Sequence, residues 1–556
     1  MHMPSLLFAL IGCGEEAAAP AEAVWYPNVQ RLVNDQCADC HHVGGQGPFP
    51  LETFETASGT AQAMLTAMES GSMPPWHADP DCRHFEGERI LGADDLDLFR
   101  RWVEAGTPAG DPADDAPYAP PTSLTFEPTW SAEIPGYVPS DVTLDDWRCF
   151  LFPEIVFDEE TWLVGTDVLP ATGSVHHVLV YALGPESVEA AQAIDAAEEG
   201  LGYTCYGGPL PTSGGGGGGG TGLGGALTAM GGFPNQIAAW VPGSEPRLLN
   251  DGTAIQVEPG SLIVMQVHYN FQSASPEADH STLKLLRTDE APARLRKTTA
   301  LLVHDLDIPQ NDPDVQVTAS TPYYNDEPLE LVSFTGHMHQ LGANISARAY
   351  DASGEETCLV DVPDWDFHWQ QRYSLPIDGS VVVESGSTID LNCGYDNSQE
   401  NQPIVNGEQQ LSQDVAWGES STDEMCLLYV ERLEDYTPLA ATDGLACEGV
   451  DACMSACTGS ETECLLACDA TDTDCLLCAL SSVSTCALTC AASLAQDQDC
   501  VQGCLIGAVM FEGDVNQCLK SECGDVHADF TTCLDQKFEK GDCVEELGAC
   551  GVTVGG

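Results

Sequence analysis

Sixteen of the chain's 25 cysteines fall between Cys447 and Cys550. Thiols at that density do not persist in a reducing cytosol, so the chain must mature in an oxidising compartment. Several sit four apart: Cys453/Cys457, Cys464/Cys468, Cys486/Cys490 and Cys500/Cys504. That spacing puts both thiols on one helical face, and two such helices back to back can be stapled. His527 is the one histidine among them, which favours bridges over a metal cluster. Residues 441–556 therefore read as a Cys-rich, disulfide-stapled α-helical region whose connectivity the sequence leaves open.

The other end of the chain agrees with export. Leu6 to Ile11 is an apolar run too short to cross a bilayer, and it ends at Gly12-Cys13. Residues 1–12 read as a lipoprotein-type signal, Cys13 as a lipidated residue, and 13–23 as an Ala/Glu/Pro-rich tether. The expected location is the periplasm or the cell surface, lipid-anchored to a bacterial outer membrane, with no other membrane contact. Lys and Arg number 18 against 87 Asp and Glu, a net charge of -69. Such a surface repels nucleic acid and anionic lipid, and needs no partner beyond water to explain it.

A chain of 556 residues exceeds one core, and 43% hydrophobic residues can supply several. Residues 24–112 carry helical patterning; in Asp94–Ala105 the apolar Leu96, Phe99 and Val103 recur near helical spacing. Residues 113–130, acidic and proline-rich at the start, form a linker. From 131 to 440, β-rich runs such as Ser174–Leu183, Gly260–Phe271, Leu329–His337 and Gly342–Tyr350 alternate with turn residues, as in all-β sandwiches. A helical insertion (Ser187 to Glu199) and a flexible run of glycines (Gly214 to Gly220) interrupt them.

Cys37-Ala38-Asp39-Cys40-His41 is a C-x-x-C-H match: two thiols for thioether bonds to haem and a histidine for its iron. Met73, in Gly71-Ser72-Met73-Pro74-Pro75-Trp76, is a second axial ligand of the kind that suits electron transfer, with His77 as its competitor. The stretch from Val24 to Pro112 resembles the small all-α c-type cytochrome domains of bacteria and implies one covalent haem c.

Five of the 14 histidines fall in three β segments between residues 174 and 340. His337 and His339 flank Met338, and strand residues two apart share a face, so both imidazoles can reach one metal. Gln266, His268 and Asn270 line one face of an otherwise apolar strand. His176 and His177 are adjacent, and can share a metal only at a bulge or strand end. His84, His280, His304 and His368 read as ordinary solvent-exposed or satisfied histidines.

Val175-His176-His177-Val178-Leu179, Gln266-Val267-His268-Tyr269, His337-Met338-His339-Gln340-Leu341-Gly342 and Asp423-Glu424-Met425-Cys426 occur in that order. The set is similar to the copper type II, ascorbate-dependent monooxygenases, over residues 145 to 430. The resemblance implies two jelly-roll-like β-sandwich domains, here 131–285 and 286–440, with one copper on each across a solvent cleft. It implies that His176, His177 and His268 bind the electron-transfer copper, and that His337, His339 and Met425 bind the copper where O2 reacts. A two-histidine, one-thioether set accommodates Cu(I). It further implies a supporting role for Gln266, a Cys393–Cys426 bridge pinning the Met425 loop, and Cys149–Cys205 as a second bridge. Cys82 and Cys358 can pair or stay free.

The peptide-hydroxylating members carry an arginine and an asparagine for the substrate carboxylate where this chain has Thr335 and Leu427. Tyr429 is retained in type. A C-terminal glycine peptide is therefore not the expected substrate, and Leu427 implies a less polar pocket. The expected activity is hydroxylation of a C–H bond in a small organic substrate with O2, the electrons arriving through the fused haem from an unidentified donor. The alternative is a surface lipoprotein that carries electrons or binds copper on a non-catalytic scaffold.

Overall fold

The computed structural model describes residues 22–43, 47–119, 126–139, 144–206, 208–210, 235–249, 251–271, 276–303, 306–325, 327–405, 408–436, 504 and 515–523. The chain divides into two compact units, one of Met1–Trp76 with Arg89–Pro121, the other of His77–Glu88 with Thr122–Gly556. The lipidation candidate Cys13, the glycine run, His304 and most of the Cys-rich tail lie outside the described residues.

Among its described residues the first unit holds the α-helices α1 (Asn28–Gln36), α2 (Phe54–Glu69) and α3 (Ala93–Glu104). The α2 start is fixed by Thr53, whose side chain accepts from the Thr56 backbone while Thr56 bonds back, a reciprocal cap. Trp25, Phe99 and Trp102 are fully buried at the centre, with the Trp25 and Trp102 rings 5.8 Å apart.

The second unit is built from strands. In chain order they are β1 (Trp130–Glu133), β2 (Asp145–Phe152), β3 (Thr161–Leu169), β4 (Val175–Leu183), β5 (Tyr203–Thr204), β6 (Asn235–Trp240), β7 (Arg247–Leu248), β8 (Thr253–Val257), β9 (Leu262–Asn270) and β10 (Thr282–Thr288). There follow β11 (Arg294–Leu302), β12 (Asp307–Ile308), β13 (Val315–Tyr323), β14 (Leu329–His337), β15 (Gly342–Tyr350), β16 (Glu356–Val362), β17 (Arg372–Ser374), β18 (Val381–Val383), β19 (Ser387–Tyr395), β20 (Ile404–Val405), β21 (Glu408–Gln409), β22 (Val415–Ala416) and β23 (Leu427–Asp435). Helix α4 (Pro185–Ala197) is the insertion after β4, and α5 (Val515–Glu522) lies in the tail.

A ten-stranded sheet runs β1-β10-β3-β8-β11-β23-β14-β17, with β7 and β18 at its margins. A five-stranded sheet, β5-β2-β9-β4-β6, shares one core with the first part of it: Ile134, Leu163, Val257 and Leu285 meet Phe150, Val178, Ile237 and Met265. The four-stranded sheet β13-β19-β15-β16 belongs to the later half of the chain. The halves are not separated at the sheet level, because β8 and β11 pair in parallel at Thr253–Arg294 and Ala254–Leu295. Strand β9 is covered on both faces: Ile263, Met265 and Val267 belong to the core shared with the larger sheet, Leu262 and Val264 pack with Ala191 of α4 and with Tyr203, and Gln266 and His268 are as hidden as Ile263 and Met265.

Residues 77–88 are fastened to this second unit. Cys82 is disulfide-bonded to Cys358, the Asp79 and Glu86 N–H groups each donate at 2.8 Å to the carbonyls of Asp361 and Ser374, and Phe85 packs against Phe334 and Tyr373. This stretch lies inside the 24–112 segment of the sequence reading. Cys149–Cys205 and Cys393–Cys426 are also bridged, as is Cys504–Cys518 in the described part of the tail. Among the described residues, no helix is long and apolar enough to cross a membrane.

Candidate metal centres

The first histidine group is set by a slip in strand pairing. Along β4 and β9, Val175 faces Tyr269 but His177 faces His268, so His176 is the extra residue of a bulge. In a regular strand the two side chains would point apart, and the bulge re-aims one of them. The ligand nitrogens of His176, His177 and His268 consequently lie within 4.8 Å of one another.

Each ring is held by its surroundings. His268 stacks face to face on Trp147, centroids 3.9 Å apart and 4° from parallel, and its Nε2 donates to Asp145 Oδ1 at 2.9 Å. Asp145 also accepts from Asn270 Nδ2 at 2.8 Å and from the Ser421 backbone and hydroxyl at 3.0 and 2.7 Å. Burial would raise the Asp145 carboxyl, but the bonds from His268 and Ser421 prevail and hold it well below the usual carboxylate range. His176 stacks on Phe367, centroids 4.2 Å apart. What remains is informative: His268 Nδ1 and His176 Nε2 are buried with no hydrogen-bond partner.

The second group comes from β14 and the loop before β23. His337 ends β14 with its Nδ1 2.6 Å from Gln370 Oε1, and His339 follows with its Nδ1 3.1 Å from the Asp423 carbonyl. His339 Nε2 is a third buried ring nitrogen without a partner. Buried imidazoles satisfied on one nitrogen and bare on the other are the arrangement a metal ligand requires. Met425 is buried on the same cavity wall as His337, its backbone carbonyl accepting from Tyr395 Oη at 2.9 Å, with Cys426 next to it bridged to Cys393.

Glu424 ties these loops together. It is fully buried, and its carboxylate accepts from the backbone N–H of His339 at 2.9 Å, Leu341 at 2.7 Å and Met425 at 3.3 Å. Burial pushes its carboxyl up to about 8 against those N–H groups.

The two groups adjoin. The His177 and His337 rings meet edge to face with centroids 5.5 Å apart, where the resemblance implied a solvent cleft between two centres. A cavity of about 130 Å³ opens beside them, walled by His177, His337, Met425, Trp147, Gln266, Tyr429 and Arg372 among others. Gln266 reaches the wall, but its amide donates to the Cys205 carbonyl at 2.8 Å and not to a histidine. Burial lowers His176, His177, His337 and His339, the last two to about 4 and about 3. They are neutral at neutral pH, with lone pairs ready for a cation.

The remaining histidines behave otherwise. His84 pairs with Glu88 and His280 with Glu133 at the surface. His368 is exposed and 3.5 Å from Asp366, although its ring lies 6.1 Å from that of His176.

In the first unit, Cys37 and Cys40 are thiols rather than disulfide sulfurs. His41 Nδ1 lies 2.9 Å from the Phe49 carbonyl, which leaves Nε2 for another partner. A Cβ on Gly47 would fall 2.5 Å from His41 Nδ1, so that residue's lack of a side chain makes room for the ring. This donor set fits a covalent haem, with two thiols for its vinyl groups and an oriented imidazole. Met73 belongs to this unit and His77 to the other.

Residues 298–447 match the C-terminal domain of copper type II ascorbate-dependent monooxygenases. The match covers His337, His339, Glu424 and Met425, and it supports a place for the chain in that family. MOXD1 homolog 1 of Drosophila melanogaster is 21% identical over 209 residues, 35% of this chain and 28% of that protein. The chain thus spans under a third of the length of the relative it matches. Among solved structures, the major capsid protein P2 of bacteriophage PM2 aligns over 56% of this chain and 99% of its own at 10% identity and a TM-score of 0.23. The tandem CBM22 domains of Paenibacillus barcinonensis Xyn10C align over 55% and 93% at 11% identity and a TM-score of 0.13. Alignments this loose carry no argument.

Sequence reasoning missed Asp145, Trp147, Phe367, Gln370 and a role for Glu424. Only Glu424 left a signal, as an acid directly before the Met-Cys pair. The others come from strands and loops far away in sequence.

Proposed function

We propose that this chain is an exported copper-dependent monooxygenase that hydroxylates a C–H bond of a small organic molecule. The observation that carries the proposal is the set of buried, unsatisfied ring nitrogens (His176 Nε2, His268 Nδ1 and His339 Nε2), with Met425 on the adjoining wall. His176, His177 and His268 would hold one copper, and His337, His339 and Met425 the other. Copper so bound supplies O2 activation and one-electron redox chemistry.

The chain's own residues set the conditions for that chemistry. Asp145 keeps the proton of His268 on Nε2, and Gln370 with the Asp423 carbonyl fixes the second pair of rings. Glu424 anchors the backbone of both ligand-bearing loops. Apolar Leu179, Val241 and Leu427 on the cavity wall limit water around a reactive C–H bond.

In the first unit, Cys37, Cys40 and His41 would hold one haem c, with Met73 as a further protein ligand; a haem held there would supply one-electron chemistry, for which His176, His177 and His268 would form the receiving site. The disulfides support an oxidising location, periplasmic or at the cell surface, with Cys13 as the anchor point. Gln266 and Tyr429 act on the cavity wall, as support and as substrate contact.

Metal counting after reconstitution tests the reading. Two coppers and one covalent haem per chain are expected, and Met425→Ile should abolish product formation while leaving the haem spectrum intact. Haem without tightly bound copper would make the chain an electron carrier on a non-catalytic scaffold.

A further inference from the structure

An ion bound for the first histidine group has to reach buried nitrogens. His176, His177 and His268 are each under a tenth exposed, and the bare Nε2 of His176 is itself buried. Of the three, His177 lines the cavity while His176 and His268 do not. His176 is covered instead by the loop between β16 and β17, where Phe367 stacks on its ring.

The next residue of that loop is an exposed imidazole. The His368 side chain is 62% exposed, and its ring lies 6.1 Å from that of His176. Two imidazoles sharing one ion through bonds of about 2 Å can stand no further apart than about 6 Å between ring centres. The observed separation is at that limit, so one ion can pass directly from ring to ring.

Asp366 stands beside His368. Its Oδ1 accepts from the His368 N–H at 2.9 Å and lies 3.5 Å from His368 Nδ1, which leaves Nε2 of that ring for another partner. Burial would raise the Asp366 carboxyl, but the bonds from His368 prevail, with His77 adding to them, and keep it below the usual carboxylate range. His77 brings to this neighbourhood a further ring nitrogen, Nε2, that is buried without a hydrogen-bond partner.

The loop is held in place from several sides. Trp365 Nε1 donates to the His339 carbonyl at 3.3 Å, and Gln370 Oε1 is 2.6 Å from His337 Nδ1. The flanking strands are fastened at Cys358 and Ser374 by Cys82 and the Glu86 N–H. An imidazole with a carboxylate makes a modest site for Cu(II), and three imidazoles make a stronger one. An ion held first by His368 and Asp366 therefore moves downhill when His176, His177 and His268 take it over. A net charge of -69 concentrates cations at the surface and keeps such a site supplied.

We propose that His368 and Asp366 form a surface capture site for copper, from which the ion passes through His368 to His176. No electron moves in this step: one set of ligands replaces another on the same ion. His368 is then not the ordinary surface histidine that its sequence context implied. The inference rests on the copper reading above and adds a loading route to it.

The test is the kinetics of copper uptake by the copper-free full-length protein. Cu(II) sulfate is mixed with the protein, EDTA is added after a varied delay, and the copper retained is counted; samples frozen before the EDTA are read by EPR. Wild type is expected to show an early Cu(II) signal with mixed nitrogen and oxygen ligation, which gives way as retained copper rises. His368→Ala should remove the early signal and slow retention by about 10-fold, with the same final copper count and equilibrium affinity. Asp366→Asn, which keeps the acceptor for the His368 N–H but not the charge, should slow retention less, and stands in if the alanine variant does not fold. His280→Ala, at a surface histidine paired with Glu133, should load like wild type. Loading of His368→Ala at the wild-type rate would overturn the proposal. A lower final copper count in that variant would overturn it too, since His368 would then be a permanent ligand. Equilibrium copper counting on wild type judges the underlying reading separately. Two coppers loaded without the early signal remove the capture site alone, whereas an early signal that depends on His368 with no copper retained leaves the capture site and removes the oxygenase.

Discussion

Replacing Asp145 with asparagine should weaken one copper and spare the other. The carboxylate has four donors around it: His268 Nε2 and Asn270 Nδ2 at Oδ1, the Ser421 N–H and hydroxyl at Oδ2. Asparagine keeps the shape but brings an NH2 group and loses the charge. If the NH2 faces Ser421 it opposes a backbone N–H. If it faces His268 it forces the imidazole to accept at Nε2 and carry its proton on Nδ1, the nitrogen left bare for metal. Carboxylate partners of ligating histidines typically contribute 10–100-fold to affinity, about 1.4–2.8 kcal/mol. Anaerobic titration with Cu(I) against a competing chelator would measure both sites. The site at His176, His177 and His268 should weaken by about that factor, with the Met425 site within about threefold of wild type. Ser421→Ala, which removes one hydroxyl bond and leaves the Asp145–His268 contact, separates the tautomer effect from loop loosening. Unchanged affinity at both sites, or equal loss at both, would falsify the argument.

Other perturbations should read out the same framework. Glu424→Ala removes the buried carboxyl oxygens that accept from three backbone N–H groups, and should destabilise the protein by about 3 kcal/mol in denaturant titrations while weakening the Met425 site. Opening Cys393–Cys426, a separation of 33 residues, should cost about 4 kcal/mol on the loop-entropy model, seen as a lower Tm for the Cys393→Ser/Cys426→Ser pair. Copper-free protein should lose stability as pH falls from about 6.5 to 4, because the unfolded chain protonates its histidines there while His337 (about 4) and His339 (about 3) stay neutral in the fold. The slope is about 1.4 kcal/mol per pH unit for each such histidine, and a flat profile in denaturant titrations between pH 7 and 5 would contradict their burial as neutral imidazoles.

Much was legible in the chain before folding. Alternating β runs announce sandwich sheets because strand side chains alternate with period two, and His337 with His339 are paired by that same period. The helical unit around Cys37, Cys40 and His41 follows from 3.6-residue patterning and a motif confined to a few consecutive residues. Local chemistry of this sort survives in one dimension. The adjacency of His176 and His177 was legible only as a problem, and the bulge that answers it arises from how β4 registers against β9, a property of the pair.

What the tertiary structure alone decided is who completes each site. Asp145 and Ser421 are 276 residues apart yet share hydrogen bonds, and Gln370 reaches His337 across 33 positions. His368 comes beside His176 because its neighbour Phe367 stacks on that ring. Residue type along the chain determined which groups could bind a metal. Strand pairing and burial determined which of their nitrogens were left without a partner, since desolvation and hydrogen-bond satisfaction exist only once distant segments are packed together.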